Sequence, residues 1–172
     1  MQEIEVKILE VDVSKVREQL IALGSEKVFA GEVYAVSLDS EERLKKEGSF
    51  IRLRKLGDKI ELCFKGPKQD SKFKIREEIQ ITSNNFDYTL ELFKRLGFAI
   101  TSETKKHRES YTYSGVNFEI DTYPGLPSFL EIEAPTEEEV KKYVETLGFN
   151  MEQATNMSGK DVVEYYKNKI IP

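Results

Sequence analysis

Glu3-Ile4-Glu5-Val6-Lys7 opens the chain with strict alternation. In a strand, Ile4, Val6 and Ile8 face one way and Glu3, Glu5 and Lys7 the other. A sheet with one wet face gives the same pattern, so this stretch decides the fold only because later stretches repeat it. Ile51-Arg52-Leu53-Arg54, Leu62-Cys63-Phe64-Lys65, Phe73-Lys74-Ile75-Arg76-Glu77-Glu78, Val116-Asn117-Phe118-Glu119-Ile120-Asp121 and Phe129-Leu130-Glu131-Ile132-Glu133 all set apolar residues against polar or ionisable ones. The charges also sort by strand. Glu3, Glu5, Asp121, Glu131 and Glu133 are acidic, whereas Arg52, Arg54, Lys65, Lys74, Arg76, Lys106 and Arg108 are basic.

Working outward, further strands are expected at 27–38, 50–56, 60–65, 73–81 and 105–113, with the last two at 116–121 and 129–133. Helices are expected from Asp12 or Ser14 to Leu23, from Asn84 or Asn85 to Leu96, over 137–147 behind a Thr136/Glu139 capping box, and over 160–170. Roughly eight strands are too many for one small flat sheet, and closure removes the exposed edges. The amphipathic helices need an apolar surface to cover. The predicted class is therefore α+β: an antiparallel eight-stranded β-barrel, a tunnel with a charged interior and helices packed outside, forming one domain over residues 1–172.

The 172 residues carry a formal net charge of -5, which disfavours non-specific nucleic-acid binding. An RNA-binding barrel would also interleave aromatic residues on its basic strands, and these strands do not. Cys63 is the single cysteine, so no internal disulfide can form. No apolar run has the length of a membrane span and the chain starts directly with a strand, so a cytoplasmic protein with no membrane or nucleic-acid partner is expected. His107 is the single histidine and alternates away from Lys106 and Arg108, which leaves no histidine network for catalysis.

Ionised groups inside a protein cost several kcal/mol each unless compensated. A tunnel lined with them makes sense if it stays wet and binds matching charge. Glu-x-Glu places two carboxylates on one strand face about 7 Å apart. Two such pairs offer hard oxygen ligands suited to Mg²⁺ or Mn²⁺. Arg-x-Arg with several lysines supplies forked and point-charge donors for phosphate oxygens. The combination points to metal-assisted attack on a polyphosphate.

In order along the chain, Glu3-x-Glu5-x-Lys7, Ile51-Arg52-Leu53-Arg54, Phe64-Lys65-Gly66-Pro67, Arg76-Glu77-Glu78, Lys106-x-Arg108, Ile120-Asp121, Gly125-Leu126 and Phe129-Leu130-Glu131-Ile132-Glu133 resemble the CYTH domain, the triphosphate tunnel metalloenzymes. Each motif is short, but the ordered set covers nearly the whole chain. The Asp-x-x-x-Gly-Leu-x-x-Phe-x-Glu-Ile-Glu block is most similar to the branch that resembles class IV adenylyl cyclases. The resemblance implies that Glu3, Glu5, Asp121, Glu131 and Glu133 ligate Mg²⁺ or Mn²⁺. It also implies that Lys7, Arg52, Arg54, Lys65, Arg76 and Arg108 grip the triphosphate, with Lys74 and Lys106 as helpers. Lys7, Arg52, Arg54 and Arg76 take the catalytic roles, and Lys160 is a candidate for closing the tunnel mouth. Two departures stand out: Glu32-Val33 precedes Tyr34 where many members have Asp-x-Tyr, and Met157-Ser158-Gly159-Lys160 replaces a late Ser-Tyr motif.

The expected function is that of a divalent-metal-dependent enzyme acting on a small triphosphate such as ATP, inorganic tripolyphosphate or thiamine triphosphate. Hydrolysis of the terminal phosphate and cyclisation of ATP both fit. The alternative is a non-catalytic polyphosphate- or nucleotide-binding module. Cyclase-like members tend to pair, so the resemblance is compatible with a homodimer, although no residue marks one.

Overall fold

A computed structural model describes residues 2–170, with side chains from 4 to 169. Nine strands and five helices follow in the order β1 (Gln2–Ile8), α1 (Val13–Leu23), β2 (Glu26–Asp39), α2 (Arg43–Lys46), β3 (Phe50–Leu56), β4 (Lys59–Lys65), β5 (Lys74–Ser83), α3 (Phe86–Arg95), β6 (Ala99–Tyr113), β7 (Val116–Thr122), β8 (Phe129–Ala134), α4 (Glu137–Thr146), β9 (Ala154–Thr155) and α5 (Gly159–Ile170). The strand order is β5-β4-β3-β2-β6-β7-β8-β1-β9, and β1 also pairs with β5. The first eight strands thus close into an antiparallel barrel, as the alternation predicts. Two features go beyond the sequence reading. β6 begins at Ala99 rather than near Lys105, and the two-residue β9 pairs with Lys7 and Ile8.

The contacts divide into two compact units, one built on Gly31–Gln69 and Arg76–Lys106, the other on Glu3–Ala30, Asp70–Ile75 and the chain from His107 onward. In the second unit, Ile4, Val6 and Ile8 join Phe118, Ile120, Leu130 and Ile132 on the apolar face. α1 covers it with Val16 and Leu20, and α4 with Val140, Val144 and Leu147. Asp12 caps α1 by accepting the backbone N–H groups of Ser14 and Lys15, and Gly24 ends it in the left-handed conformation at φ 83°. In the first unit the apolar face is Val36, Leu38, Leu53 and Ile60, covered by Phe86, Leu90 and Phe93 of α3. Asn85 caps α3 and Thr136 caps α4.

α5 sits differently from the other long helices. Its Val162 and Tyr166 pack on Phe129, with Leu9, Tyr123 and Leu126 beside them. Phe129 alternates with Glu131 and Glu133 and lies opposite Asp121 in the ladder, so α5 covers the end of the charged face.

Glu109 faces the other way, on the side α1 covers, and ties that helix to its sheet. Its carboxylate accepts from Arg17 Nε at 3.0 Å, Lys27 Nζ at 2.8 Å and the Tyr111 hydroxyl at 2.9 Å. The Arg17 bond lowers its pKa most, and with Lys27 and Tyr111 outweighs desolvation to bring it down to about 2. A depressed carboxylate pKa adds stability above the ordinary value of 4.5 and loses it as pH falls toward 2. Glu109→Gln should therefore destabilise the fold by about 1–2 kcal/mol at neutral pH, allowing for the screened cations, and by almost nothing near pH 2. Urea titrations at the two pH values check this.

Candidate functional site

The ladder of the second unit sets carboxylate against carboxylate. Glu5 lies opposite Glu133 across β1 and β8, and Glu119 lies opposite Glu131 across β7 and β8. Like charges directly opposite one another are destabilising, and here Glu5 is 1% exposed and Asp121 fully buried. The same register supplies the relief. Lys7 faces Glu131 and Arg108 faces Asp121. The Lys7 ammonium bridges Glu5 and Glu131, at 2.7 Å from the latter, and Lys74 reaches Glu5 at 2.7 Å. Arg108 forks onto Asp121, with Nε and Nη2 donating at 2.7 and 2.6 Å, and its Nη1 pairs with Glu119.

Burial alone would discharge Lys7, but Glu131 and Glu5 more than reverse that effect and hold its pKa above the ordinary lysine range. Arg108 behaves the same way, with Asp121 and Glu119 overcoming desolvation. Carboxylate oxygens of Glu5, Glu131 and Glu133 lie within 4.8 Å of one another, and so do those of Glu119, Asp121 and Glu131. Glu131 belongs to both groups. Such all-oxygen sets match a hard divalent cation, and Lys7 shows that cationic charge is what these groups attract.

At one end of this face, Tyr123 stacks on Phe129 with ring centroids 6.1 Å apart. Burial, then the charges of Asp121 and Glu131, push its hydroxyl up to about 12. α5 starts against that hydroxyl: a Cβ on Gly159 would sit 2.6 Å from Tyr123 Oη. Only glycine fits this first residue of the helix without a shift.

Arg52 and Arg54 of β3, Lys59 and Lys65 of β4 and Arg76 of β5 lie in the first unit. Arg54 lies opposite Glu61 and pairs with it, and Lys59 joins Glu61 at 2.7 Å. Lys65 lies opposite Glu78 and contacts it at 2.8 Å. The Cys63 thiol, opposite Arg52, also donates to Glu78 at 2.9 Å. Burial and that hydrogen bond push the thiol up to about 12, far from a nucleophilic thiolate. Desolvation favours protonating Glu78, yet Lys65 and the thiol outweigh it and bring the carboxyl to about 2. Arg76 donates from Nη1 to the carbonyls of Gly48, at 2.9 Å, and Gly66, and its guanidinium lies over the Phe50 ring.

The structure thus brings together Glu5, Lys7, Lys74, Arg108, Asp121, Glu131 and Glu133 in one unit, and Arg52, Arg54, Lys65 and Arg76 in the other. Lys106 is half-buried on β6. The Glu3 side chain lies outside the described residues. Lys160 is exposed and 3.7 Å from Glu164 on its own helix, a solvated surface pair. Within the acidic cluster, Glu119 is a carboxylate the sequence reading missed. Glu119-x-Asp121 carries the same one-face spacing as Glu-x-Glu and was the signal that could have found it.

The chain forms a closed antiparallel barrel, and its second unit carries a buried acidic cluster, flanked by Lys7, Lys74 and Arg108, that is compatible with a bound cation. The chain belongs to the CYTH domain family, whose model matches residues 1–166. Members of that family are, in general, metal-dependent tunnel enzymes that bind triphosphates. A Methanocaldococcus jannaschii protein named "Putative adenylate cyclase MJ0240" is 35% identical over 136 residues, which is 77% of each chain. Among solved structures, the PH1012 protein of Pyrococcus horikoshii OT3 is 26% identical with a TM-score of 0.76, over 93% of this chain and 98% of that one. A Hippeastrum protein named "Putative adenylyl cyclase HpAC1", with a dominant triphosphatase activity, shares the fold with a TM-score of 0.64 at 15% identity, covering 95% of each chain.

Lys7→Met would leave Glu131 and Glu5 without the buried ammonium between them. The expected cost is about 3 kcal/mol in urea unfolding at neutral pH. An unchanged midpoint would mean that Lys7 does not neutralise this cluster.

Proposed function

We propose that the chain is a divalent-metal-dependent triphosphatase that hydrolyses the terminal phosphate of a small triphosphate. The observation that carries this reading is Glu131, a buried carboxylate shared by two oxygen-donor groups and already held against an ammonium. A fold gains nothing from stacking five acidic groups on adjoining strands unless cationic charge is its ligand. Family membership supplies the substrate class.

Glu5, Glu131 and Glu133, with Glu119 and Asp121 beside them, would hold Mg²⁺ or Mn²⁺, and the resemblance adds Glu3. Such an ion, when bound, polarises phosphate oxygens and makes bound water more acidic. The other roles fall to the chain's own cations. Lys7, Lys74 and Arg108 pair with the carboxylates and orient them. Arg52, Arg54, Lys65 and Arg76, with Lys106, are assigned to phosphate oxygens as forked and point-charge donors. Water adds to the terminal phosphorus, the bridging P–O bond breaks, and guanidinium and ammonium groups stabilise the charge on the departing oxygen. Cys63 takes no nucleophilic part, because its thiol is held protonated.

Cyclisation of ATP is the second reading, favoured by the name of the M. jannaschii relative. There the 3′-hydroxyl attacks the α-phosphorus and pyrophosphate leaves. The same cations serve both reactions, so the products decide.

Purified protein would be incubated with tripolyphosphate, ATP and thiamine triphosphate, with Mg²⁺ and separately with Mn²⁺. Orthophosphate is the expected product. It should vanish on chelation and fall about a hundredfold or more in Glu131→Gln and Glu5→Gln. Cyclic AMP with pyrophosphate would replace the first reading by the second. Wild-type protein that binds tripolyphosphate but turns over none of the three substrates would sink both.

A further inference from the structure

The two oxygen-donor groups are neutralised by different kinds of cation. In the Glu119, Asp121 and Glu131 group the counter-charge is a fork. Arg108 holds Asp121 through Nε and Nη2 and Glu119 through Nη1, three bonds from one rigid plane. In the Glu5, Glu131 and Glu133 group the counter-charges are lysines. The Lys7 ammonium stands between Glu5 and Glu131, and Lys74 shares Oε1 of Glu5 with it. A lysine is a compact point charge on a flexible four-carbon stem, which holds a carboxylate without matching its shape. Charge and space then pull apart. Glu5, Glu119, Asp121, Glu131 and Glu133 against Lys7, Lys74 and Arg108 is five formal negative charges against three positive, a surplus of two among the described residues, the charge of one divalent ion. The place for that ion is taken. Oxygens of Glu5, Glu131 and Glu133 lie within 4.8 Å of one another, and Lys7, 2% exposed, bridges the first two. A hard ion draws its oxygen ligands to about 2.0–2.6 Å, and at that range it repels an ammonium bound to the same carboxylates.

We infer that Lys7 is the resident counter-ion of the Glu5, Glu131 and Glu133 group, displaced when a divalent ion enters and turned by that displacement toward the phosphate of the substrate. The inference rests on the metal-dependent triphosphate reading and adds an order to it. Without the ion, the Lys7 ammonium is engaged on carboxylates and contributes nothing to holding a triphosphate. With the ion in place, the same ammonium is released to the phosphate oxygens that the ion attracts. Ion and triphosphate therefore favour the same position of Lys7, and each tightens the binding of the other by the same factor. Arg108 takes no part in the exchange, since its release would break three bonds at once. It keeps Asp121 and Glu119 in place while Lys7 moves.

The test uses the full chain and two binary titrations. Mn²⁺ binding without phosphate is followed by loss of the free-ion electron paramagnetic resonance signal, with Glu131→Gln marking which binding belongs to this group. Tripolyphosphate binding is followed by calorimetry in excess chelator. Lys7→Met should bind Mn²⁺ roughly tenfold or more tightly than the wild type, because no ammonium has to be displaced, and should lose no metal-free affinity for tripolyphosphate. A lysine that gripped phosphate from the outset would give the reverse. Mn²⁺ binding no tighter than wild type, or a tenfold loss of metal-free tripolyphosphate binding, each overturns the inference. Because Lys7→Met costs stability, the wild type supplies an independent reading. The Lys7 ammonium, buried against its two carboxylates, should give its own nitrogen-proton resonance in the metal-free chain, assigned through its side-chain carbons, and Mg²⁺ should shift or erase it. A resonance unmoved at saturating Mg²⁺ overturns the inference as well. Mn²⁺ binding by neither form would sink the metal reading and this inference together, whereas equal binding by both would sink this inference alone. Neither titration needs turnover, so a chain that hydrolysed no triphosphate would leave the result standing.

Discussion

Four carboxylates set against one another across neighbouring strands are the constraint on which the second unit depends. Glu5 against Glu133 and Glu119 against Glu131 are pairings that a sheet evolved for stability alone would avoid. They persist because Lys7 and Arg108 stand in the same ladder and hold opposite charge between them. Neither cation could be spared without leaving buried negative charge, and neither could stay charged there without the carboxylates. The cluster is thus electrostatically closed, yet it holds more acid than base, which gives it an appetite for further positive charge.

Register is what makes such a cluster possible. The apolar face beneath α1 and α4 fixes which residues of β1, β7 and β8 point toward the helices, because a slip of one residue would bury Glu5 beneath α1 and α4 and turn Val6 away from them. The helices therefore do chemical work at a distance. By fixing Ile4, Val6, Ile120 and Ile132 on their side, they place Glu5, Asp121 and Glu131 on the other. The same logic runs through the first unit, where Leu53 and Ile60 lie under α3 and Arg54 and Glu61 face each other on the opposite side.

Alternation was the legible part. It located the strands, the faces, and nearly all of the residues gathered in the two clusters, because period-two patterning survives whatever the connections do. Which residue faces which was not legible, since register depends on turns and bulges that short motifs do not encode. Glu61 and Glu78 show the result. In sequence Glu61 looks like a single acid on a basic strand and Glu78 like a group that orients an arginine, whereas in the structure they are the partners of Arg54 and Lys65. The sequence marks a helix over 160–170 but not the surface it covers. Its place against Phe129 follows from Gly159 and from Tyr123, a contact between residues far apart in the chain.

The distribution of shifted proton affinities has its own consequence. Where the charges cluster, lysine and arginine are driven up, Glu61, Glu78 and Glu109 down, and Cys63 and Tyr123 to about 12. Histidine, the side chain that ordinarily changes charge between pH 5 and 8, occurs once, as His107, exposed on β6 and facing away from Arg108. Lys7, Arg108, Glu61, Glu78 and Glu109 therefore keep their charge, and Cys63 and Tyr123 stay neutral, across the physiological range. A change in rate within that window does not come from the titration of any of these groups.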